Sequence, residues 1–182
     1  MSKIEGSQVR IRTARFAAVA LGTDAAVLAD TALDDADTTV VTAFVAQPAV
    51  PRNVTVKGNA AAVTGNVVIE GTNVEGAPIS ETIALNAANL VAGNKAFATV
   101  TRITLPTYAS ADTERVRVGL GAKLGLPVRL SRNTVLRAFR ANVLEGTAPT
   151  VVVSASAIES NTVTLNSALN GSEIIVDLYE TQ

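Results

Sequence analysis

The residues 52 to 85, RNVTVKGNAAAVTGNVVIEGTNVEGAPISETIAL, alternate apolar and polar side chains in short runs. Val54 and Val56 alternate with Thr55 and Lys57, which is the period-two pattern of a strand with one solvated face. The same pattern returns in NVVIEG after the turn at residues 64–65. This stretch therefore predicts strand, turn, strand, turn, strand, and it contains no residue that obviously performs chemistry.

Short apolar runs continue to the end of the chain, separated by Asn, Ser, Gly and Pro. NTVLRAFRANVL, at 133–144, fits either helix or strand spacing, and a strand is favoured because Gly146 and Pro149 close it. The count is about ten or eleven strands at the spacing of all-β folds. We therefore predict an all-β fold, an antiparallel β-sandwich or jelly-roll-like domain with an extended N-terminal arm.

The N-terminal third is less regular. Residues 1–13 are polar and basic and predict an exposed arm, and residues 14–182 predict one β-rich domain with a possible sub-boundary at 48–51, where two prolines interrupt the chain. TDAAVLADTAL, at 23–33, could form one short helix. TTVVTAFVA, at 38–46, predicts a strand.

Composition argues against catalysis. The chain has no Cys and no His, so it lacks disulfides, a thiolate nucleophile and the commonest general base. Aromatic residues make up only 3%, too few to line a typical sugar-cleaving cleft around a Glu70–Glu81 acid/base pair. GLGAKLG, at 119–125, imitates a nucleotide loop, but no helix follows it, and its glycines are interpreted as turn residues with Lys123 as a solvated loop charge. We expect no enzyme activity and no cofactor.

DTALDDAD, at 30–37, concentrates four carboxylates. Asp34, Asp35 and Asp37 are weak candidates for calcium ligands, because calcium prefers oxygen donors. The stretch lacks the glycine and the distal glutamate of an EF-hand loop. An exposed acidic loop is therefore the favoured interpretation.

The net charge of −1 conceals a segregation of charge along the sequence. Residues 1–15 and 115–140 are basic, whereas 16–51 and 141–182 are acidic. The blocks could pair within one fold, or they could meet a partner surface, where complementary charge sets orientation. Nucleic acid is not expected as a partner, because the basic block lacks interleaved aromatics. The candidate partner-binding residues are Lys3, Arg10, Arg12, Arg15, Arg115, Arg117, Arg137 and Arg140.

Residues 50–182 also carry a resemblance. PRNVTVKGNAAAVTGNVVIEGTNVEGAPISETIALN, VAGNKAFATVTRITLP, VRVGLGAKLGLPVRL and LEGTAPTVVVSASAIESNTVTLNSALNGSEIIVDLYE resemble tailed-bacteriophage virion proteins, in particular head decoration (cement) proteins. The resemblance lies in the β-rich sequence pattern and implies no catalytic residues. It implies a protein that binds the major capsid protein on the outside of an icosahedral head and stabilises the shell.

This resemblance sets the expectations for partners and location. We expect a virion protein on the capsid surface, made in the host bacterial cytoplasm, without a membrane-spanning or export segment. A homo-oligomer is expected, and a trimer would suit the three-fold positions of a shell. The alternatives are a phage tail or fibre component and, from another class, a carbohydrate-binding or adhesion module.

Overall fold

A computed structural model describes residues 10–108 and 113–180 of the chain. These residues form fourteen β-strands, one single-turn 3-10 helix at Ile158–Ser160 and no α-helix. The strands are β1 (Arg10–Ala20), β2 (Leu28–Ala32), β3 (Thr39–Val41), β4 (Arg52–Gly58), β5 (Asn66–Thr72), β6 (Pro78–Ala84), β7 (Val91–Phe97), β8 (Thr99–Leu105), β9 (Arg115–Gly125), β10 (Val135–Arg140), β11 (Val143–Leu144), β12 (Thr150–Val152), β13 (Thr162–Thr164) and β14 (Asn170–Glu180). The strand pairings are antiparallel, so the predicted all-β antiparallel class is confirmed.

The strands build three sheets. Sheet A has the order β1-β14-β10-β11, and sheet C has the order β3-β8-β5-β6. Sheet B has the order β12-β13-β9-β4-β7, with β2 also paired to β9. The clearest sequence pattern, residues 52–85, supplies β4, β5 and β6, as the alternation predicts.

Two hydrophobic cores lie between these sheets. Core 1 joins sheets B and C through side chains such as Val54, Ile69 and Ile103, none of which is exposed. Core 2 joins sheet A, through Ile174 and Val176, to the far end of sheet B. The eleven-residue strand β9 serves both, since its first half lies in core 1 and its last residues lie in core 2.

The helix considered for residues 23–33 is wrong. A turn follows Thr23, and the chain then enters β2, where Leu28 pairs with Val118 of β9. The Val27 N–H donates to the Val118 carbonyl at 2.9 Å, and both Val27 and Leu28 are buried in core 1. Pairing with β9 and burial therefore override the local helix propensity.

Two other predictions at the N-terminal end need adjustment. The strand predicted at 38–46 is confirmed only for β3, Thr39–Val41, because the chain then leaves sheet C and the Val45 N–H donates to the Val27 carbonyl. The predicted arm ends earlier than residue 13, since residues 10–13 belong to β1 and pair with β14. The rest of the predicted arm, residues 1–9, lies outside the described residues.

The interpretation of the GLGAKLG glycines as turn residues between strands is wrong. They lie within β9, where Gly119 and Gly121 allow a close approach of neighbouring atoms. A Cβ on Gly119 would lie 2.3 Å from the Thr23 carbonyl oxygen. Lys123 is likewise not a loop charge, because its ammonium donates to the Gly93 carbonyl and to Asn94 Oδ1 at 3.0 and 2.7 Å.

The stretch 133–144 forms strands, as predicted, in the shape of a hairpin. Strand β10 turns through Ala141 and Asn142, which have φ values of +52° and +62°, into β11. Positive φ at both central residues is the geometry of a type I′ turn, whose twist matches that of paired strands. This hairpin places β11 at one edge of sheet A and leaves β1 at the other.

Candidate interaction surface

The basic residues of β1 lie at one edge of sheet A. Arg10 and Arg12 are exposed near the start of the strand, and Arg15 Nη1 lies 3.0 Å from Glu173 Oε1 on β14. Antiparallel pairing of β1 with β14 thus brings the basic start of the chain onto its acidic end. Lys3, the remaining candidate of this group, lies outside the described residues.

The second basic group also finds acidic partners within the chain. Arg117 lies 3.5 Å from Asp24 and 2.9 Å from Asp30, and Arg140 Nε lies 3.3 Å from Glu145. Arg137 Nε donates to Asp177 Oδ2 at 2.8 Å. Arg115 is exposed, and its backbone N–H donates to Asn59. Much of the charge segregation is therefore balanced inside the fold.

The acidic loop does not assemble a calcium site. Asp34 Oδ1 accepts the backbone N–H groups of Ala36 and Asp37 at 2.8 and 3.0 Å, and these hydrogen bonds lower the pKa of Asp34. Asp35 and Asp37 are exposed on the same turn. Across the ranges that the structure describes, no group of three or more Asp and Glu side chains is arranged to hold a metal ion.

The two glutamates considered as an acid/base pair point to opposite faces of sheet C. Glu70 lies opposite Ser80, whereas Glu81 lies opposite Ile69, one position out of phase. Glu81 instead accepts the N–H groups of Asn94 and Lys95 at 2.6 and 3.2 Å. Its carboxylate thus links edge strand β6 of sheet C to edge strand β7 of sheet B. These hydrogen bonds satisfy a carboxylate that lies on the same face of β6 as apolar side chains.

The outer face of sheet A, the face turned away from core 2, carries apolar side chains from all four strands. The register places the side chains of β14 residues 174, 176 and 178 toward core 2 and those of the intervening residues outward. The apolar side chains of this outer face are Ile11, Phe139, Leu144, Ile175 and Tyr179, and they share it with Thr13, Arg15, Arg137 and Asp177. None of the five apolar side chains belongs to either core. Ile11 is 68% exposed and Leu144 is 56% exposed.

Charged side chains hold this outer face in a fixed arrangement. Asp177 lies at its centre, accepting hydrogen bonds from Arg137 Nε and Thr13 Oγ1, the latter at 2.8 Å. These two hydrogen bonds, the one from Arg137 first, lower the pKa of Asp177. The Arg137 guanidinium also lies 5.2 Å from the centre of the Phe139 ring. The face therefore presents apolar area around a neutralised ion pair, as the centres of protein interfaces do.

The hairpin β10–β11 extends this surface at the edge of the sheet. Leu136 is 53% exposed, and with Leu144 it lines a cleft of about 250 Å³ between the hairpin and the segment 147–151. Large apolar side chains that cluster on one exposed region mark an interaction site more often than scattered ones do.

The sequence pattern predicted basic residues as the partner-binding site, and this apolar face was not predicted. The signal was present in EIIVDLYE, where Ile174 and Val176 alternate with Ile175 and Tyr179, so that both faces of the strand carry large apolar side chains. Strands of this kind are covered on both sides. In sheet A, one side packs into core 2, whereas the apolar residues of the other side belong to neither core.

No family model, curated protein or solved structure matches this chain. Among the described residues, no helix is long and apolar enough to cross a membrane.

Proposed function

We propose that this chain is a structural protein of a tailed-phage virion that binds the outside of the icosahedral head and stabilises the shell. The observation that carries the proposal is the outer face of sheet A, where five apolar side chains that belong to neither core surround the Arg137–Asp177 ion pair. A protein that acts by covering a shell needs a rigid, shaped surface of this kind. The resemblance of residues 50–182 to head decoration proteins supplies the identity of the partner, the major capsid protein.

The surface has properties suited to lattice binding. Strands β1 and β14 are paired without interruption from Arg10–Glu180 to Phe16–Ile174, so little order has to be gained on docking. Its central ion pair, Arg137–Asp177, is already formed in the free protein. Exposed edge strands β1 and β11 at either side offer contacts to neighbouring copies, in keeping with a homo-oligomer, and a trimer would match the three-fold positions of a shell.

Co-sedimentation of the purified chain with heads depleted of accessory proteins, from the phage that encodes it, tests the proposal. We expect saturable binding at a copy number commensurate with the shell lattice. Binding to purified tails instead would replace the head by the tail as its location. Binding to neither particle, together with binding to glycans, would overturn the virion role in favour of an adhesion module.

A further inference from the structure

Arg52 is a buried cation that has no acidic partner among the described residues. It is the first residue of β4 and only 4% exposed. Its Nε donates to the Gly121 carbonyl at 2.7 Å, Nη2 donates to the same oxygen, and Nη1 donates to the Ala20 carbonyl at 2.9 Å. Because a guanidinium has five N–H groups, two of them remain without a partner in the described part of the chain.

Two irregular strands create the surroundings of Arg52. In β9, the register slips between the pairs Arg52–Leu124 and Val54–Leu120, which releases the Gly121 carbonyl from the ladder. In β1, the register slips between Phe16 and Val19, and Ala18 adopts a φ of +47°. Bulges and strained residues of this kind are concentrated near functional sites, because they redirect a side chain or open the sheet.

A cleft of about 240 Å³ opens beside Arg52, at the junction of sheets A and B. Its walls come from the end of β1, from residues 47–50 and from Leu120, and Arg52 is the one charged residue among those that line it. Ala17, Ala20 and Ala49, which line the cleft, are exposed, so its mouth is open to solvent. Small side chains at the mouth leave room for an incoming group.

The charge, walls and volume of the cleft indicate which class of ligand fits it. A buried charge without a counter-charge is costly, and an anion that reaches it recovers a strong, charge-assisted hydrogen bond. One guanidinium among uncharged walls suits a monoanion better than a phosphate dianion. The volume is below that of sites for drug-sized ligands, and the apolar walls favour a short hydrocarbon chain.

We propose that the Arg52 cleft binds a carboxylate carried on a short apolar chain. Such a carboxylate is provided either by an acidic side chain or C-terminus of a partner protein or by a small free carboxylic acid. The guanidinium suits the charge of a carboxylate, and the remaining N–H groups, one on Nη1 and one on Nη2, are the donors available to its oxygens. This inference does not rest on the virion role and holds for any partner that presents the group.

The test is an NMR titration of the full chain labelled with ¹⁵N, following the Arg52 Nε–Hε resonance. Sodium butyrate is the probe, and sodium chloride at the same ionic strength is its control. We expect a saturable shift with butyrate and none with chloride. Absence of a saturable shift with butyrate, or an equal response to chloride, would overturn the proposal.

Replacing Arg52 itself would remove hydrogen bonds that connect β4 to β1 and β9, so a cleft-filling variant is the sharper test. Ala49→Leu adds bulk at the mouth and leaves Arg52 in place, and we expect it to weaken butyrate binding about tenfold or more. The matched control is Ala88→Leu, at an exposed alanine that does not line the cleft, and it should bind as the wild type does. Unchanged binding by Ala49→Leu would mean that the probe binds elsewhere.

Two further probes separate the sources of the carboxylate. N-acetylglutamic acid α-amide represents an acidic side chain, and N-acetylalanylalanine with a free carboxylate represents a chain terminus. If the Arg52 resonance shows that one of them binds with higher affinity than butyrate, a protein partner provides the group. If butyrate alone binds, the ligand is a small free acid.

Discussion

Asn53 and Asn161 are buried asparagines whose side chains replace missing backbone pairing. Asn161 accepts the N–H groups of Leu130 and Ser154, and its amide donates to the carbonyls of Ser154 and Ala157 at 2.8 and 3.0 Å. Asn53 accepts the Lys123 N–H at the irregular part of β9. The sequence does not distinguish these two residues from the exposed asparagines, because both have hydrogen-bond partners among backbone groups that are distant in the sequence.

We expect Asn161→Ala to lower the free energy of unfolding by about 2–4 kcal/mol, because it leaves several buried N–H and carbonyl groups unsatisfied. Asn166→Ala, at an exposed asparagine in the same region, should change the free energy by less than about 0.5 kcal/mol. Urea unfolding of both variants checks this prediction. Equal effects of the two substitutions would contradict the role given to Asn161.

Asp177 makes stability depend on pH in the acidic range. Because its hydrogen bonds lower its pKa in the folded protein, its contribution is complete above its unfolded pKa of about 3.9 and is lost as the pH falls through the lower folded value. We therefore expect Asp177→Asn to be more destabilising at about pH 6 than at about pH 2.5. Urea unfolding at both pH values, with Asp35→Asn in the exposed acidic loop as the control, measures the difference. A cost for Asp177→Asn that does not change with pH would show that its charge is not the stabilising feature.

At the scale of elements, strand β9 shows what the sequence predicts and what it does not. Its first half, RVRVGL, places Val116 and Val118 in core 1 and Arg115 and Arg117 on the other face, an alternation that is typical of a strand. Its second half was interpreted as a turn, because glycine is both a turn residue and the residue that permits close packing. The choice between these two uses depends on Thr23 and Asn53, which are distant in the sequence and approach β9 only in the folded protein.

The close approach at Gly119 is testable by adding a single methyl group. We expect Gly119→Ala to lower the free energy of unfolding by about 2–3 kcal/mol, since its Cβ would meet backbone atoms of Thr23 and Asp24. Gly146→Ala is the matched control, because a Cβ there meets nothing within 4 Å and its φ is not in the left-handed region. Thermal unfolding of the two variants compares them. A Gly119→Ala variant as stable as Gly146→Ala would contradict the strand packing described for β9.

The same limit explains the other outcomes at this scale. Period-two alternation identified β4 to β6, because apolar side chains recur on one face of each. The solvated face predicted for β4 is wrong, since Thr55 is buried as well. Alternation did not identify β2, whose five residues are held by pairing with β9 rather than by a pattern of their own. Alternation also did not identify the outer face of sheet A. It predicts which face of a strand is buried in a core, and it does not show that apolar residues on the opposite face form an interaction surface.

At the scale of the whole molecule, two cores share β9 and the junction at Arg52. Core 1 contains sheets B and C, and core 2 contains sheet A with the end of sheet B. Arg52 donates to carbonyls of both β9 and β1, so the junction is hydrogen-bonded as well as packed. Shared elements of this kind couple the two halves energetically, which favours unfolding as one unit.

The two tyrosines report separately on the two halves. Tyr108 packs against core 1, whereas Tyr179 lies on sheet A. Tyr179→Phe leaves Tyr108 as the fluorescent reporter, and Tyr108→Phe leaves Tyr179. For each variant, we expect the urea midpoint measured by tyrosine fluorescence to coincide with the midpoint measured by far-UV circular dichroism. Separate fluorescence and circular dichroism midpoints in either variant would show that the cores unfold independently.

The central claim is that the molecule binds its shell through the outer face of sheet A. The most direct measurement is saturation binding to depleted heads by the double variant Ile11→Asp/Leu144→Asp, compared with Val45→Asp. Val45 is 66% exposed but lies outside sheet A, so it shows the effect of one added carboxylate away from the proposed surface. We predict that the double variant binds about tenfold or more weakly at unchanged thermal stability, and that Val45→Asp binds as the wild type does. Undiminished binding by the double variant, or equal weakening by Val45→Asp, would contradict the claim.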